Sequence, residues 1–503
     1  MIISAGGQAD LGSALLTVDS AADQRAYGNL SAQTFGGTLT MAGADLQVRT
    51  GSGFLNLYGA NALTVAEGVN LLAGGGTSSS DQSAQTRVTE QSSTRSAGAG
   101  GSGFASLGSQ GMVSVGSGIT VRTDAATIRN TSPSFSSERV SGNAHLSIDA
   151  GGIDVTGGMT VEGAGFAQAN LRANGDVTVR GLSRVSATAE TYQFTGGDSS
   201  QFSRNGTAFL FVRAGDAGSS SGSGQFQESV ASGIARLDQI EVSGPNAFAA
   251  VEAGRISVGT GGSAIRVETL VNGADGSGAY NQNAHYGGSY TSSRASALLS
   301  LIAQGSGDEG GVLIDGSTSV QGPEAFAALV ANADIKATGA ITVSGTGYDI
   351  SGSGDPQSYG GNFVSGGFEA PPITDGRVRW GSAGLTIAGG LPTGSGSSEG
   401  GSIETAQVQL GPTGAGAITL EGAVNIRGIG AATAQIFGQD VQTAGLSVDA
   451  ASLGYGEAQG SYTEFGVFDP ESNQIHDIEH SISNGSEGAA TYGHAALQVQ
   501  AGP

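Results

Sequence analysis

Apolar and polar residues alternate strictly in short runs along most of this chain. Ile256–Val258 (ISV) and Ile341–Val343 (ITV) are two such runs, and one or two glycines separate each run from the next. Period-two alternation places one set of side chains on one face of a β-strand. Because no window of eleven residues keeps its apolar positions at helical spacing, the pattern predicts an all-β fold without helices.

The alternating runs recur in longer units that resemble one another. Each unit contains a strand, a glycine turn, an alanine-rich second strand, another turn and a third strand. The first-turn glycines Gly163, Gly244, Gly322 and Gly428 are 81, 78 and 106 residues apart. Short, evenly spaced strands of this kind predict a parallel β-helix (a β-solenoid), in which each strand stacks on its equivalent one coil earlier. We expect about 16 to 18 coils of about 20 residues, forming a rod about 80 Å long.

Three phenylalanines occupy matching positions in these units, namely Phe166, Phe248 and Phe326. Stacked on one another inside the solenoid, they would form an internal aromatic ladder, and we expect them to pack in the core. The fourth unit has Ala432 at this position, with Phe437 close enough in the sequence to fill the gap.

Five polar insertions interrupt the units, near residues 77–102, 191–205, 272–294, 348–379 and 461–489. Insertions in a repeat fold lie on one side of the solenoid and often form its contact surface. Five tyrosines in these segments suit contacts with carbohydrate or protein and are the candidate ligand-contact residues: Tyr280, Tyr286, Tyr290, Tyr348 and Tyr359. The alternative is that the insertions are passive decorations or flexible hairpins.

Composition narrows the possible classes of partner. The 503 residues include 89 glycines and no cysteine, and the net charge is −23. A repeat fold tolerates this much glycine, and stacking between coils replaces disulfides as a source of stability. Nucleic acid is not expected as a partner because it needs a basic surface. No apolar stretch predicts membrane insertion, and no signal peptide is evident, so we expect an internal piece of a larger exported protein.

Two weak motifs suggest metal binding. His476, Glu479 and His480 match the H-x-x-E-H pattern of some zinc proteases, although that chemistry needs a helix. Asp308 and Asp315 lie in one turn that resembles a calcium-binding repeat, although such sites need tandem copies. We therefore expect no cofactor, with Ca²⁺ as the alternative.

Catalysis on polysaccharides would need clustered carboxylates. The carboxylates of the predicted strands are instead scattered at about one per coil, and they are Asp149, Asp154, Asp176, Asp334 and Asp440. We therefore expect no catalytic residues, and a polysaccharide-binding or polysaccharide-degrading β-helix enzyme is the alternative function.

The repeated coils, such as Asp334–Gly345 (DIKATGAITVSG), resemble those of filamentous-haemagglutinin-type exoproteins and autotransporter passengers. The resemblance covers most of the chain outside the insertions. It implies a single elongated right-handed parallel β-helix over residues 1–503, located outside the cell or on a bacterial surface. It also implies a structural or adhesive function, as an adhesin rod or as a filament or matrix subunit. The partners would be surface glycans and proteins, or further copies of the chain joined end to end or laterally.

Overall fold

The computed structural model describes residues 1–18, 26–49, 51–74, 77–81, 101–131, 135–188, 190–196, 199–215, 231–269, 281–285, 288–291, 296–305, 310–353, 373–389, 416–451, 456–469, 474–483 and 494–501. None of these residues is helical, and most belong to β-strands. The prediction of an all-β fold is confirmed.

The strands are numbered in chain order. The first twenty are β1 Ile2–Ala5, β2 Ala9–Leu11, β3 Ala14–Val18, β4 Ala26–Thr34, β5 Thr38–Met41, β6 Ala44–Val48, β7 Gly51–Gly59, β8 Ala62–Val65, β9 Gly68–Ala73, β10 Thr77–Asp81, β11 Ser102–Val115, β12 Gly118–Thr123, β13 Ala126–Thr131, β14 Phe135–Ser141, β15 Asn143–Val155, β16 Met159–Gly163, β17 Phe166–Ala173, β18 Val177–Ala187, β19 Glu190–Gly196 and β20 Ser199–Asn205. The remaining twenty are β21 Thr207–Ala214, β22 Ile234–Gly244, β23 Asn246–Ala253, β24 Arg255–Val258, β25 Ser263–Thr269, β26 Asn281–His285, β27 Gly288–Thr291, β28 Ser296–Ala303, β29 Val312–Ile314, β30 Ser317–Gly322, β31 Glu324–Ala331, β32 Ile335–Ala337, β33 Ile341–Gly345, β34 Tyr348–Ser353, β35 Ile373–Gly389, β36 Ile418–Gly438, β37 Val441–Ala451, β38 Gly456–Asp469, β39 Gln474–Ser483 and β40 His494–Ala501.

Most strands belong to one 33-stranded sheet, and all of its strands except β34, β38 and β39 ring around a single hydrophobic core. Within it, three parallel ladders form three faces. The first face contains β1, β4, β7, β11, β15, β17, β21, β23, β28, β31, β35, β36 and β40. The second face begins with β2, β5 and β8, and the third with β3, β6 and β9. Each strand therefore pairs with its equivalent in the next coil, as expected for a β-solenoid.

Side-chain size explains the shape of this core. On the first face, one inward column alternates between leucine and alanine over most of its length, and it includes Leu146, Ala169, Leu210, Ala249 and Leu299. A large residue in one coil thus packs over a small residue in the next. The columns nearest the two corners contain mainly alanine and glycine, because the chain turns there and leaves little room for side chains.

The coil count predicted from the sequence is wrong. The described residues form twelve coils and one additional first-face strand, β40, which spans about 58 Å at the usual interstrand spacing of about 4.8 Å. Ile234 lies opposite Arg255 and Ala44 lies opposite Val69, so an uninterrupted coil takes 21 to 25 residues. Each coil is longer than the predicted 20 residues, and more of the chain lies between the solenoid strands than the prediction assumed. Fewer coils therefore account for the whole length of the chain.

The polar insertions pair with one another, which the sequence does not predict. β10, β13, β14, β19, β20, β26 and β27 form a second, seven-stranded sheet, in which every pair except β10–β13 is antiparallel. β27 lies beside β34, which pairs with β35, and the series continues through β38 to β39. We call this set of ten strands, together with the N-terminal half of β35, the flanking sheet.

All these insertions leave the rod at the same corner. Each follows a third-face strand and returns into a first-face strand, as the hairpin β19–β20 does between β18 and β21. Successive coils are stacked along the rod, so successive hairpins are brought side by side. β35 links the two sheets directly, since its first half pairs with β34 and its second half joins the first face.

Candidate functional site

A stack of aromatic rings lies on the outward side of the first face. It runs through five consecutive strands and consists of Tyr27, Phe54, Phe104, His145 and Phe166. The ring centroids of successive members are 4.9, 5.0, 4.6 and 5.0 Å apart. These separations are typical of stacked aromatic pairs. Tyr27 is 63% exposed at one end of the stack, and the other four rings are half-buried.

The prediction of an internal phenylalanine ladder is wrong. Phe166, Phe248 and Phe326 all point outward and are only half-buried, whereas the alanine that follows each of them is buried in the core. The inward positions at this corner are narrow, since even a β-carbon on Gly103 would lie 2.6 Å from Cδ2 of Leu71. The sequence did contain the signal. In the alternating pattern Phe166 falls on the same face as the polar residues Gln168, Asn170 and Arg172, and the buried alanines fall on the other face.

The outward row continues beyond the stack with further large side chains. Phe209 lies opposite Phe248, which lies opposite Leu298, followed by Phe326 in the next coil. The ring of Phe326 then covers Gly384, where a β-carbon would lie only 2.8 Å from its Cδ1 atom. Phe437, also outward, is 6% exposed and does not fill the core position next to Ala432.

His145 is the one residue of the stack whose charge can change near neutral pH. Burial lowers its pKa below the ordinary value of 6.5, and a hydrogen bond with the Gln168 side chain opposes part of this shift. The imidazole between Phe104 and Phe166 is therefore neutral at pH 7. The stack presents no net charge at this pH.

The strand carboxylates are engaged with the backbone and with arginines. Asp154 accepts a hydrogen bond from Arg180 at 2.6 Å. Asp176 accepts from the Ile234 amide at 2.9 Å and from Arg236 at 3.2 Å. These contacts join one coil to the next, which is a structural use of the carboxylates.

The remaining strand carboxylates lie at separate places on the rod. Asp334 accepts from the Ala417 amide at 2.7 Å, and Asp149 faces outward opposite Arg172 on the first face. Asp440 lies immediately before β37, and its backbone carbonyl accepts a hydrogen bond from the Ile418 amide.

The metal candidates do not form a described site. His476, Glu479 and His480 lie on one extended strand, β39, where four residues span about 13 Å. A helix would bring the two histidines close enough to share one metal ion, whereas an extended strand keeps their backbones about 13 Å apart. Asp315 accepts a hydrogen bond from Thr338 at 3.0 Å, and Asp308 lies outside the described residues. Within the part of the chain that the structure describes, no three acidic, histidine or cysteine side chains are grouped closely enough to hold a metal ion.

The tyrosine candidates fall in or next to the flanking sheet. Tyr290 lies opposite Asn283 in the hairpin β26–β27, and Tyr348 lies opposite Trp380 in the pair β34–β35. The structure thus places two of the five candidates on neighbouring strands. The others, Tyr280, Tyr286 and Tyr359, lie outside the described residues.

Comparisons with known proteins give no relative for this chain. No protein-family model, no curated protein and no solved structure matches it. Among the described residues, no helix is long and apolar enough to span a membrane.

Proposed function

We propose that this chain is a right-handed parallel β-helix that acts outside the cell as an adhesive rod or matrix subunit. In this proposal the flanking sheet is the contact surface. Right-handedness is supported by the strong preference of parallel β-connections for that hand. The acidic charge would keep a long exposed surface soluble.

The observation that carries the proposal is the pairing of insertions from separate coils. Hairpins that only decorated the rod would not need to share a register, yet β14 pairs with β19 and β20 pairs with β26 across different coils. The result is one continuous surface, rich in serine, threonine, asparagine and tyrosine, which hydrogen-bonds readily to other polar surfaces. Loops and insertions displayed by a rigid repeat scaffold commonly serve as its binding surface.

Replacing Asn281–Thr291 with a short Gly-Ser linker would test the proposal. This change removes the hairpin β26–β27 and splits the flanking sheet between β20 and β34. We expect retention of the rod on glass or mucin-coated glass to fall at least tenfold, as measured by quartz-crystal microbalance. Circular dichroism and protease resistance would verify that the rod remains folded.

The matched control replaces residues 216–230 with the same linker, because in sequence they connect the first-face strand β21 to the second-face part of β22. Retention that stays unchanged in the hairpin variant, with the rod still folded, would rule out the flanking sheet as the contact surface. Negative-stain electron microscopy of the same samples would separate single rods from filaments.

A further inference from the structure

The first face carries an uncharged surface on an acidic protein. Five neighbouring strands, β4, β7, β11, β15 and β17, present twenty outward positions. Eleven of them are serine, asparagine or glutamine, six are aromatic and one is glycine; the only two charged residues, Asp149 and Arg172, lie opposite each other. The other faces differ, since charged pairs such as Arg122 with Glu162 recur there. The chain as a whole has a net charge of −23.

The outward positions form rows that run along the rod. A ring row contains Phe54, Phe104 and His145, which lie directly opposite one another. Two residues further along each strand lies a floor row of short side chains, listed here in order along the rod: Ser31, Asn56, Ser106, Ser147 and Asn170. Asn56, Ser106 and Ser147 are exposed to solvent.

A third row lies on the far side of the floor row and consists, in order, of Gln33, Tyr58, Gly108, Asp149 and Arg172. Gln33, Tyr58 and Arg172 are larger than the floor residues, and the ring of Tyr58 leans over Gly108. The floor is thus a shallow furrow between two taller rows that are about 13 Å apart. The furrow follows the rod for about 19 Å across the five strands.

We propose that this furrow binds a neutral polysaccharide as a single extended chain parallel to the rod axis. Amide and hydroxyl side chains both donate and accept hydrogen bonds, as sugar hydroxyls do. The rings of the stack face one another, so only their edges are left to contact a ligand. These edges would form an apolar wall along one side of the furrow. Because the furrow is uncharged, it does not attract an anionic polymer. A single extended polysaccharide chain is narrow enough to contact the floor residues, whereas the flat face of a second copy of the protein is too wide to do so. The inference does not depend on the flanking sheet.

The test is affinity electrophoresis of the full chain in gels that contain hydroxyethylcellulose, galactomannan or alginate. Ser106→Glu places a bulky charge in the middle of the furrow. Thr120→Glu is the matched control, because Thr120 is also exposed and lies on the third face of the same coil. The double variant Asn56→Ala/Ser147→Ala removes hydrogen-bonding groups without adding charge.

We expect a neutral polysaccharide to retard the wild-type chain and the Thr120→Glu variant equally. The affinity should fall at least tenfold in Ser106→Glu and about threefold to tenfold in the double variant. The variant that lacks the hairpin β26–β27 should be retarded like wild type, which separates this furrow from the flanking sheet.

Three results would overturn the proposal. The first is the absence of retardation by either neutral polysaccharide, and the second is equal retardation of Ser106→Glu and wild type. The third is self-association in sedimentation velocity that Ser106→Glu abolishes without any glycan present, because the face would then bind a second copy.

Discussion

Truncation of Phe104 tests whether the aromatic stack lies on the outside of the rod. Phe104 contacts the rings of Phe54 and His145 at 5.0 and 4.6 Å and is half-buried. Each ring pair contributes about 0.5–1.5 kcal/mol beyond area burial, so Phe104→Ala should cost about 2 kcal/mol. Leu107, three residues along the same strand, is 1% exposed. Leu107→Ala should cost about 2–5 kcal/mol, and truncation of a fully buried phenylalanine about 3–5 kcal/mol.

Repeat folds open locally, so the assay should report on this coil. Native-state hydrogen exchange at the amides of β11, followed by mass spectrometry, gives the local free energy of opening. Phe104→Leu serves as the control, because it keeps apolar surface but removes both ring pairs, and it should be milder than Phe104→Ala. A Phe104→Ala variant that loses more than Leu107→Ala would refute the outward placement.

The remaining predictions concern pH, coil contacts and one glycine. Because the pKa of His145 is lowered in the folded state, the unfolded chain binds the proton more readily, and stability should fall as the pH drops below about 6.5; thermal unfolding of His145→Gln should lack this component. Asp176→Ala removes the acceptor for the Ile234 amide and should cost about 1 kcal/mol in urea unfolding, since the carboxylate is half-exposed, whereas no measurable loss would contradict its anchoring role. Gly51 has a φ of 126°, and a methyl group there would collide with the carbonyl of Ala26, so Gly51→Ala should lower stability by more than 1 kcal/mol, and an unchanged melting temperature would contradict this turn geometry.

The repeat fold could be predicted because its physical signals are local. Alternation as in Ile341–Val343 defines a strand and its buried face, and regularly placed glycines define the turns. The same alternation, read consistently, also places Phe166 on the outer face with Gln168 and Asn170. The hydrophobicity of phenylalanine alone favours the core, whereas its position in the alternation places it on the outside.

The two candidate surfaces were harder to predict because they depend on contacts between coils. The flanking sheet pairs Arg139 with Tyr192, and Phe202 with Gln282, across polar segments without an apolar pattern. The spacing of coils along the rod decides this register. The furrow likewise exists only once Asn56 and Ser106 are known to lie opposite each other. The sequence separates them by variable insertions.

Spin-label distances along one outward row test the stacked-coil architecture most directly. The chain has no cysteine, so labels on Ser31→Cys, Ser106→Cys and Ser300→Cys would be specific. Ser300 lies seven strands from Ser31 and five from Ser106 in the same row of the first face. Double electron–electron resonance should therefore give backbone separations of about 34 and about 24 Å, a rise of about 4.8 Å per coil. Distances for the two pairs that are equal, or in the reverse order, would contradict the solenoid.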